Sequence, residues 1–175
     1  NNIRGWWMSE KFDGVRAFWT GRKLISRHGH PIHAPLWFTE SLPGQALDGE
    51  FWISRKQFAK TLSVVLDQNP GTGWFEVHYF VFDAPNLSGD FEQTMKQTRK
   101  LLKKMNLDHI RWVEQKSCNS EKELLNFLRW PGEMDARVVH CISTLIWSEP
   151  NLYRIVLFRA GVTWRLLLHQ MICPL

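Results

Sequence analysis

Paired cysteines and long apolar runs are both missing from this sequence. The three cysteines, Cys118, Cys141 and Cys173, are widely spaced, and no Cys-x-x-Cys pair occurs. This spacing indicates neither a disulfide framework nor a cysteine-based zinc site. No apolar run reaches the ~18 residues that a membrane-spanning helix needs, so we expect no membrane partner.

Lysine is missing from the last part of the chain. Ten lysines occur up to Lys122, and none occurs after it. The segment from Pro131 to Leu175 is rich in Val, Leu, Ile and Arg but has no clean helical or strand periodicity. The change predicts a folded core over residues 1–129 and a divergent or non-native tail over residues 130–175.

The composition that remains is that of a folded, basic domain. The 175 residues are 44% hydrophobic and 13% aromatic, which is enough to bury one core. The net charge of +5 and the isoelectric point near 9.3 suit a polyanionic partner, because phosphates favour Lys and Arg. The basic residues are scattered rather than gathered in a tail, which favours a basic face on a folded domain.

The first half of the chain predicts short strands separated by turns. Val15, Ala17 and Trp19 alternate with Arg16 and Phe18, which predicts a strand with two distinct faces. The turn at Thr20-Gly21 then predicts a hairpin to a strand at 24–26. Further strands are predicted at 45–53 and 75–82, and a short helix is predicted to begin at Pro35.

Three longer helices are predicted between and after these strands. Ser54 and Gln57 form a capping-box pattern for a helix at 55–66, and Ser120 and Glu123 form another for a helix ending near residue 129. Apolar spacing predicts a helix at about 91–105. Because strands and helices are intermixed, the predicted fold class is α+β with antiparallel sheets flanked by helices.

The run from Ser9 to Arg16 is the first candidate for chemistry. Lys11 lies between a predicted strand and a tight Asp13-Gly14 turn, which would hold it rigidly. A lysine becomes a nucleophile when its ammonium loses a proton, and nearby positive charge from Arg16 or Arg27 would favour that loss. The simpler interpretation is a hairpin turn with a solvated lysine.

Three further runs add groups that suit a nucleotide. Arg27 precedes Gly29, where a guanidinium and the backbone can approach a phosphate closely. Asp48-Gly49-Glu50 begins a strand with two carboxylates, which can accept from a ribose hydroxyl or hold a hard cation. Phe82 ends an apolar strand, where its ring can stack on a base. Taken singly, each is better explained as a structural residue: a turn arginine, a turn carboxylate or a core phenylalanine.

Together and in this order, the runs resemble the covalent nucleotidyltransferase superfamily of DNA ligases, RNA ligases and mRNA capping enzymes. Lys11-x-Asp13-Gly14-x-Arg16 resembles the nucleophile motif, and three runs resemble the motifs that follow it: Ser26-Arg27-x-Gly29, Asp48-Gly49-Glu50 and Phe80 to Asp83. Residues 4–129 look most like the minimal bacterial ATP-dependent DNA ligases, which pair an adenylation domain with an OB-fold domain. No OB-fold domain is expected within this chain.

The resemblance implies a reaction, a set of site residues and a partner. Lys11 would take AMP from ATP and pass it to the 5′-phosphate of nicked double-stranded DNA, with Mg²⁺ assisting. The implied catalytic residues are Lys11, Asp13 and Arg16. The implied nucleotide-binding residues are Ser9, Glu10, Arg27, Glu50 and Phe82. Glu50 and Glu133 are the implied metal ligands. We expect a monomer, and the resemblance leaves a periplasmic or a cytoplasmic location open.

The tail departs from the family pattern. The family's fourth motif, EGxV, is expected near residues 130–145, where only Glu133 resembles it, and the two-lysine fifth motif is absent. We therefore expect that the chain ligates nothing and adenylates itself poorly. Translating the two other reading frames of the encoding DNA tests whether the tail is out of frame, since one of them should then contain both motifs.

Three alternatives remain open at this point. The same lysine chemistry serves RNA ligases and capping enzymes, although the Trp-rich flanks favour a DNA ligase. A catalytically inactive remnant that at most binds nucleotide would also fit the departing tail. A general basic binding domain without a nucleotide site is the third, and it must treat four ordered motifs as coincidence.

Overall fold

A computed structural model of the chain describes residues 6–128, 138–143, 152–159 and 165–170, with Leu128 and the last three segments described by their backbone alone. Ten strands form within these ranges: β1 (Trp6–Glu10), β2 (Val15–Trp19), β3 (Leu24–Ser26), β4 (Leu47–Trp52), β5 (His78–Asp83), β6 (Ile110–Trp112), β7 (Gln115–Cys118), β8 (Val138–Ser143), β9 (Leu152–Arg159) and β10 (Arg165–Gln170). The helices there are α1 (Leu36–Thr39), α2 (Phe58–Leu66), α3 (Phe91–Met105), α4 (Glu121–Leu128) and a 3-10 helix (Thr72–Glu76).

Internal contacts divide the molecule into two compact units. The first comprises residues 1–11 and 114–175, and the second comprises residues 12–113. The sheet of the first unit has the strand order β10-β9-β8-β1-β7, and all its neighbouring strands are antiparallel. Helix α4 follows β7 in the same unit.

The sheet of the second unit has the strand order β3-β2-β4-β5-β6. Strands β2 to β5 pair antiparallel, whereas β6 pairs parallel with β5. Alternate residues of the three central strands form an apolar face, on which Ala17, Leu47, Phe51, Tyr79 and Val81 are all 0% exposed. This apolar face is the centre of the core of the second unit.

Helices cover the apolar face because each presents one apolar stripe to it. Val65 of α2 and Leu102 of α3 are buried within the same cluster as the strand residues. Phe38 and Trp74 fill the space beside them, with ring centroids 5.0 Å apart in an edge-to-face arrangement. Aromatic pairs of this geometry stabilise a core beyond the area that they bury.

Several predicted elements are confirmed. Strand β2 buries Ala17 and Trp19 on one face, and its hairpin to β3 follows the predicted turn. Helix α3 spans the predicted range, and α4 begins with the Ser120 hydroxyl accepting from the Glu123 amide at 3.2 Å. The predicted α+β class with antiparallel sheets is therefore correct.

The predicted capping box of α2 is wrong. Lys56 has a φ of 62°, a left-handed conformation that cannot continue a right-handed helix. The Gln57 amide therefore closes a turn on the Ser54 carbonyl oxygen at 3.3 Å, and the helix begins only at Phe58. The three positions before it form a turn rather than the first turn of the helix.

The predicted start of β5 is also wrong. Residues 75–76 belong to the 3-10 helix, and the strand begins at His78. Trp74 is 0% exposed and packs against Phe38 and Phe51, whereas Phe75 is 70% exposed. Burial of the indole in the core thus outweighs the strand propensity of an aromatic run.

Candidate active site

The polar face of the second unit's sheet is the side opposite its apolar face, and it carries Arg16, Asp48, Glu50, Phe80 and Phe82. Register places Arg16 of β2 opposite Glu50 of β4, and Glu50 opposite Phe80 of β5. The strict alternation of side chains across the sheet brings these three residues into one row, although they are far apart in sequence. The polar face therefore gathers residues from three of the four sequence motifs.

Arg16 is held by a bidentate ion pair with Asp48. Its Nε donates to Oδ1 at 3.2 Å and its Nη2 donates to Oδ2 at 2.7 Å. The Asp48 side chain is 6% exposed and that of Arg16 is 29% exposed, so one edge of the guanidinium remains near solvent. Two parallel hydrogen bonds fix the plane of a guanidinium as well as its position.

Burial and pairing oppose each other in this ion pair. Burial lowers the pKa of Arg16, but the hydrogen bond and charge of Asp48 outweigh burial and raise it. Burial raises the pKa of Asp48, while the hydrogen bond from Arg16 acts in the other direction. Since a guanidinium stays protonated, Asp48 is held as the anion that pairs with it.

Glu50 fastens the turn that follows Lys11 to strand β4. Its Oε1 accepts from the backbone amide of Gly14 at 2.7 Å. A Cβ atom at Gly14 would overlap the carbonyl oxygen of Phe51, so only glycine allows the turn to approach the strand this closely. Asp13 is exposed in the same turn. Gly14 is therefore required by its packing against β4 as well as by the turn.

Aromatic rings occupy the rest of the polar face. Phe82 is half-buried, and the guanidinium carbon of Arg16 lies 5.9 Å from its ring centroid. Phe12 packs on Phe80 with ring centroids 4.2 Å apart and meets Trp52 at 5.2 Å. Phe80 is 8% exposed, so of the two phenylalanines of β5 it is Phe82 that keeps an accessible ring.

Asp83 is a buried carboxyl at the end of β5. Its Oδ1 accepts from the Ala84 amide at 2.8 Å, and register places it opposite Asp48. Burial, and then the charge of Asp48, raise the pKa of Asp83 to about 6. Two carboxyls beside one guanidinium thus compete for the same positive charge.

The remaining predicted site residues lie at the ends of strands. Ser9 and Glu10 end strand β1 of the first unit, where Ser9 is 6% exposed, and Lys11 follows directly and is half-buried. In the second unit, Arg27 lies in the turn after β3, where it is exposed, and Gly29 has a φ of 80° that suits glycine. Glu133 lies outside the described residues.

The carboxylates of the polar face fit a divalent cation only as single ligands. Within the part of the chain that the structure describes, no group of three His, Cys, Asp or Glu side chains could hold a metal ion. Magnesium commonly binds one or two carboxylates together with substrate phosphates, so Glu50 fits as a single ligand but not as part of an all-protein cage.

DNA ligases are among the known proteins that resemble this chain in sequence or structure. No established family profile matches the chain. A DNA ligase of Haemophilus influenzae is 32% identical over 126 residues, which is 72% of this chain and 47% of that protein. A solved Lig E DNA ligase is 33% identical with a TM-score of 0.68, covering 80% of this chain and 56% of the other. These similarities support the adenylation domain of a DNA ligase in this chain.

More distant ligase structures support the fold of this domain. The DNA ligase-adenylate of Chlorella virus superposes with a TM-score of 0.62 at 19% identity, covering 77% of this chain and 52% of that one. The ligase domain described here spans about half the length of the relatives it matches. Two relatives above 30% identity are DNA ligases, which favours a DNA ligase over an RNA ligase or a capping enzyme.

Sequence reasoning about the ligase domain overlooked two residues. The role of Asp48 as the partner of Arg16 was not predicted, although its run was singled out for its carboxylates. Phe12, which packs between Phe80 and Trp52, was treated as an unspecified motif position. The alternation of side chains in β2 and β4 indicates which residues share a face, but only the strand register shows which of them are neighbours.

Proposed function

We propose that this chain is the catalytic domain of an ATP-dependent DNA ligase that seals nicks in double-stranded DNA. The amine of Lys11 attacks the α-phosphorus of ATP, the bond to pyrophosphate breaks, and the lysine loses a proton as the phosphoramidate forms. AMP then passes to the 5′-phosphate at the nick, which restores the lysine. The 3′-hydroxyl finally attacks that phosphate and releases AMP, leaving a phosphodiester.

One observation supports this proposal most strongly. The hydrogen bond from Gly14 to Glu50 ties the turn that directly follows Lys11 to the same polar face on which Arg16 and Phe82 lie. The spacing of Lys11, Asp13 and Gly14 supports the proposal, because Lys11 lies only three residues before the glycine whose amide is bound by Glu50. An ordinary hairpin would not need the glycine to meet strand β4 so closely.

The residues of the polar face have distinct proposed roles. Arg16, oriented by Asp48, presents its remaining N–H groups to phosphate or ribose oxygens. Phe82 offers a half-exposed ring on which adenine stacks. Ser9 and Glu10 recognise the edge of the adenine, and Arg27 contacts a phosphate at the nick. These four roles come from the family resemblance, and the exposure of Arg27 and the half-buried ring of Phe82 agree with it.

Magnesium is proposed as the partner cation, with Glu50 as its ligand. A bound cation would neutralise charge that develops at the α-phosphate. Glu133 is retained as a second candidate from sequence alone. We also propose that the tail from about residue 130 departs from the family, so that adenylation is slow.

Labelling with α-³²P-ATP and Mg²⁺ tests the proposed chemistry. We expect acid-labile label on the 175-residue chain, in low yield, and no label on Lys11→Ala, because the phosphoramidate needs that amine. Lys122→Ala, which removes an exposed lysine from α4, should label like the parent. Label that persists in Lys11→Ala would exclude the proposal, as would its absence from a parent chain shown by circular dichroism to be folded.

The choice of substrate is tested with the same protein. We expect labelling from ATP to exceed labelling from GTP, and transfer of label to nicked DNA to exceed transfer to nicked RNA. The reverse preference in both comparisons would instead identify a capping-type or RNA-joining enzyme.

A further inference from the structure

A stripe of basic residues lies on helix α3, away from the candidate site. Five of the helix's fifteen residues are basic and exposed: Lys96, Arg99, Lys100, Lys103 and Lys104. Their spacing of three, four, seven and eight residues from the first places them on one side of the helix. At 1.5 Å per residue the stripe is about 12 Å long.

The stripe faces away from the core. Phe91 and Leu102 of α3 are buried, and Leu102 belongs to the core cluster on the apolar face of the sheet. The basic residues therefore point outward on the side of the second unit opposite the polar face that carries Arg16 and Glu50. A ligand on the stripe does not compete with one on that face.

Three of the four lysines of the stripe have no partner in the part of the chain that the structure describes. Glu92 lies 3.7 Å from Lys96 as an exposed i,i+4 pair. Lys100, Lys103 and Lys104 form neither a hydrogen bond nor an ion pair with any residue that the structure describes. The helix dipole favours Lys103 and Lys104 in the last turn, but it does not account for Lys100.

We propose that the basic stripe of α3 is a second docking surface for duplex DNA, separate from the site of nick sealing. Along a duplex each strand carries one phosphate per 3.4 Å of axis, so a stripe about 12 Å long spans three or four phosphates. Exposed lysines contact phosphates without reading sequence, so the surface holds intact duplex. This role does not depend on adenylation by Lys11.

An anionic membrane is the other polyanion that a basic helix can bind. Membrane-surface helices insert an apolar face between lipids. In α3 the apolar residues Phe91 and Leu102 are already buried in the protein, and the exposed side is polar. The contacts of the helix therefore favour nucleic acid.

The proposal is tested by the salt dependence of binding to an intact, fluorescein-labelled duplex without ATP. Each lost phosphate contact lowers the slope of log K against log salt by about 0.9, so Lys96→Gln, Lys100→Gln and Lys103→Gln together should lower it by about 2.7. Affinity at low salt should fall at least about tenfold. Glutamine keeps helix propensity, and the thermal midpoint confirms that the variant is folded.

A matched control separates the stripe from bulk charge. Arg22→Gln, Lys23→Gln and Lys60→Gln remove the same charge from exposed positions outside α3, and we expect the slope to change by less than about one contact. An equal loss in this control, or an unchanged slope in the α3 variant, overturns the proposal. So does α3-dependent binding of phosphatidylserine vesicles without α3-dependent binding of duplex.

If the triple α3 variant does not fold, Lys100→Gln alone carries the test. It should lower the slope by about 0.9. Because no ATP is present, a negative result here leaves the adenylation proposal untouched, and failure of Lys11 labelling leaves the docking surface untouched.

Discussion

The two faces of the second unit's sheet are formed by the same strands, but one face packs into the core and the other carries charged side chains. On the apolar face, Phe51 and Tyr79 are completely buried and belong to the core cluster. On the polar face, Asp48 is nearly as buried, yet it is charged and tied to Arg16. Alternate residues of one strand can therefore serve two purposes, because those on the apolar face stabilise the core and those on the polar face supply the chemical groups. The second purpose requires that the charged side chain of Asp48 is buried.

The largest effect is expected on the apolar face. Phe51→Ala should destabilise the domain by about 4 kcal/mol, because it removes a fully buried ring and leaves a cavity. Phe82→Ala, on a half-buried residue, should cost about 1 kcal/mol of stability. Urea unfolding followed by tryptophan fluorescence measures both. Equal losses would mean that the two faces do not differ as described.

Phe82→Ala should instead weaken nucleotide binding. Base stacking on an aromatic ring contributes about 1–3 kcal/mol, so the Kd for ATP should rise by roughly tenfold or more. A thermal shift with ATP reports this change, since a ligand stabilises only the fold that binds it.

An intermediate effect is expected from breaking the ion pair. Asp48→Ala leaves a partly buried guanidinium without its anion, which should cost about 2–3 kcal/mol after allowance for the exposed edge of Arg16. The double variant Arg16→Leu and Asp48→Leu removes both charges and should recover most of that loss. A double-mutant cycle that compares Arg16→Leu, Asp48→Leu and their combination by urea unfolding measures the coupling of the two side chains, and additive losses would show that there is none.

A further effect concerns Asp83 and appears only as a dependence of stability on pH. Its folded-state pKa of about 6 lies above the ordinary value of 3.8, so the folded state binds the proton more tightly. Its contribution to stability is therefore present at low pH and is lost as pH rises from about 4 to about 6. Asp83→Asn removes this titration.

For Asp83→Asn we expect the difference in unfolding free energy between the variant and the parent to change with pH. The variant should gain about 2 kcal/mol on the parent between pH 4 and pH 7. Unfolding by urea at both pH values measures this, and other titrating groups cancel in the difference. A constant difference across that range would show that Asp83 does not titrate there.

Local signals predicted much of the fold. The alternation of β2, the hairpin to β3 and the amphipathic pattern of α3 depend on neighbouring residues, so the sequence contains them directly. The predicted element boundaries were wrong where the conformation of a residue or a contact with a distant segment set the boundary. The start of α2 moved because Lys56 takes a left-handed conformation, and the start of β5 moved because Trp74 is needed in the core.

The candidate site divides in the same way. The order and spacing of its motifs are readable from the residues alone, and they are enough to single out Lys11, Arg16, Glu50 and Phe82. The arrangement of these residues is not readable in that way, because Arg16 and Asp48 are 32 residues apart and Gly14 and Glu50 are 36 apart. Only the pairing of β2 with β4 brings them together.

By itself the sequence determined which residues alternate, which turns need glycine and which side chains could carry nucleotide chemistry. The tertiary structure decided that Arg16 is oriented by Asp48, that Glu50 holds the turn beside Lys11, and that β6 joins the sheet in parallel. The reason is physical: local propensity acts over a few residues, whereas strand register and burial are set by contacts between segments far apart in the chain.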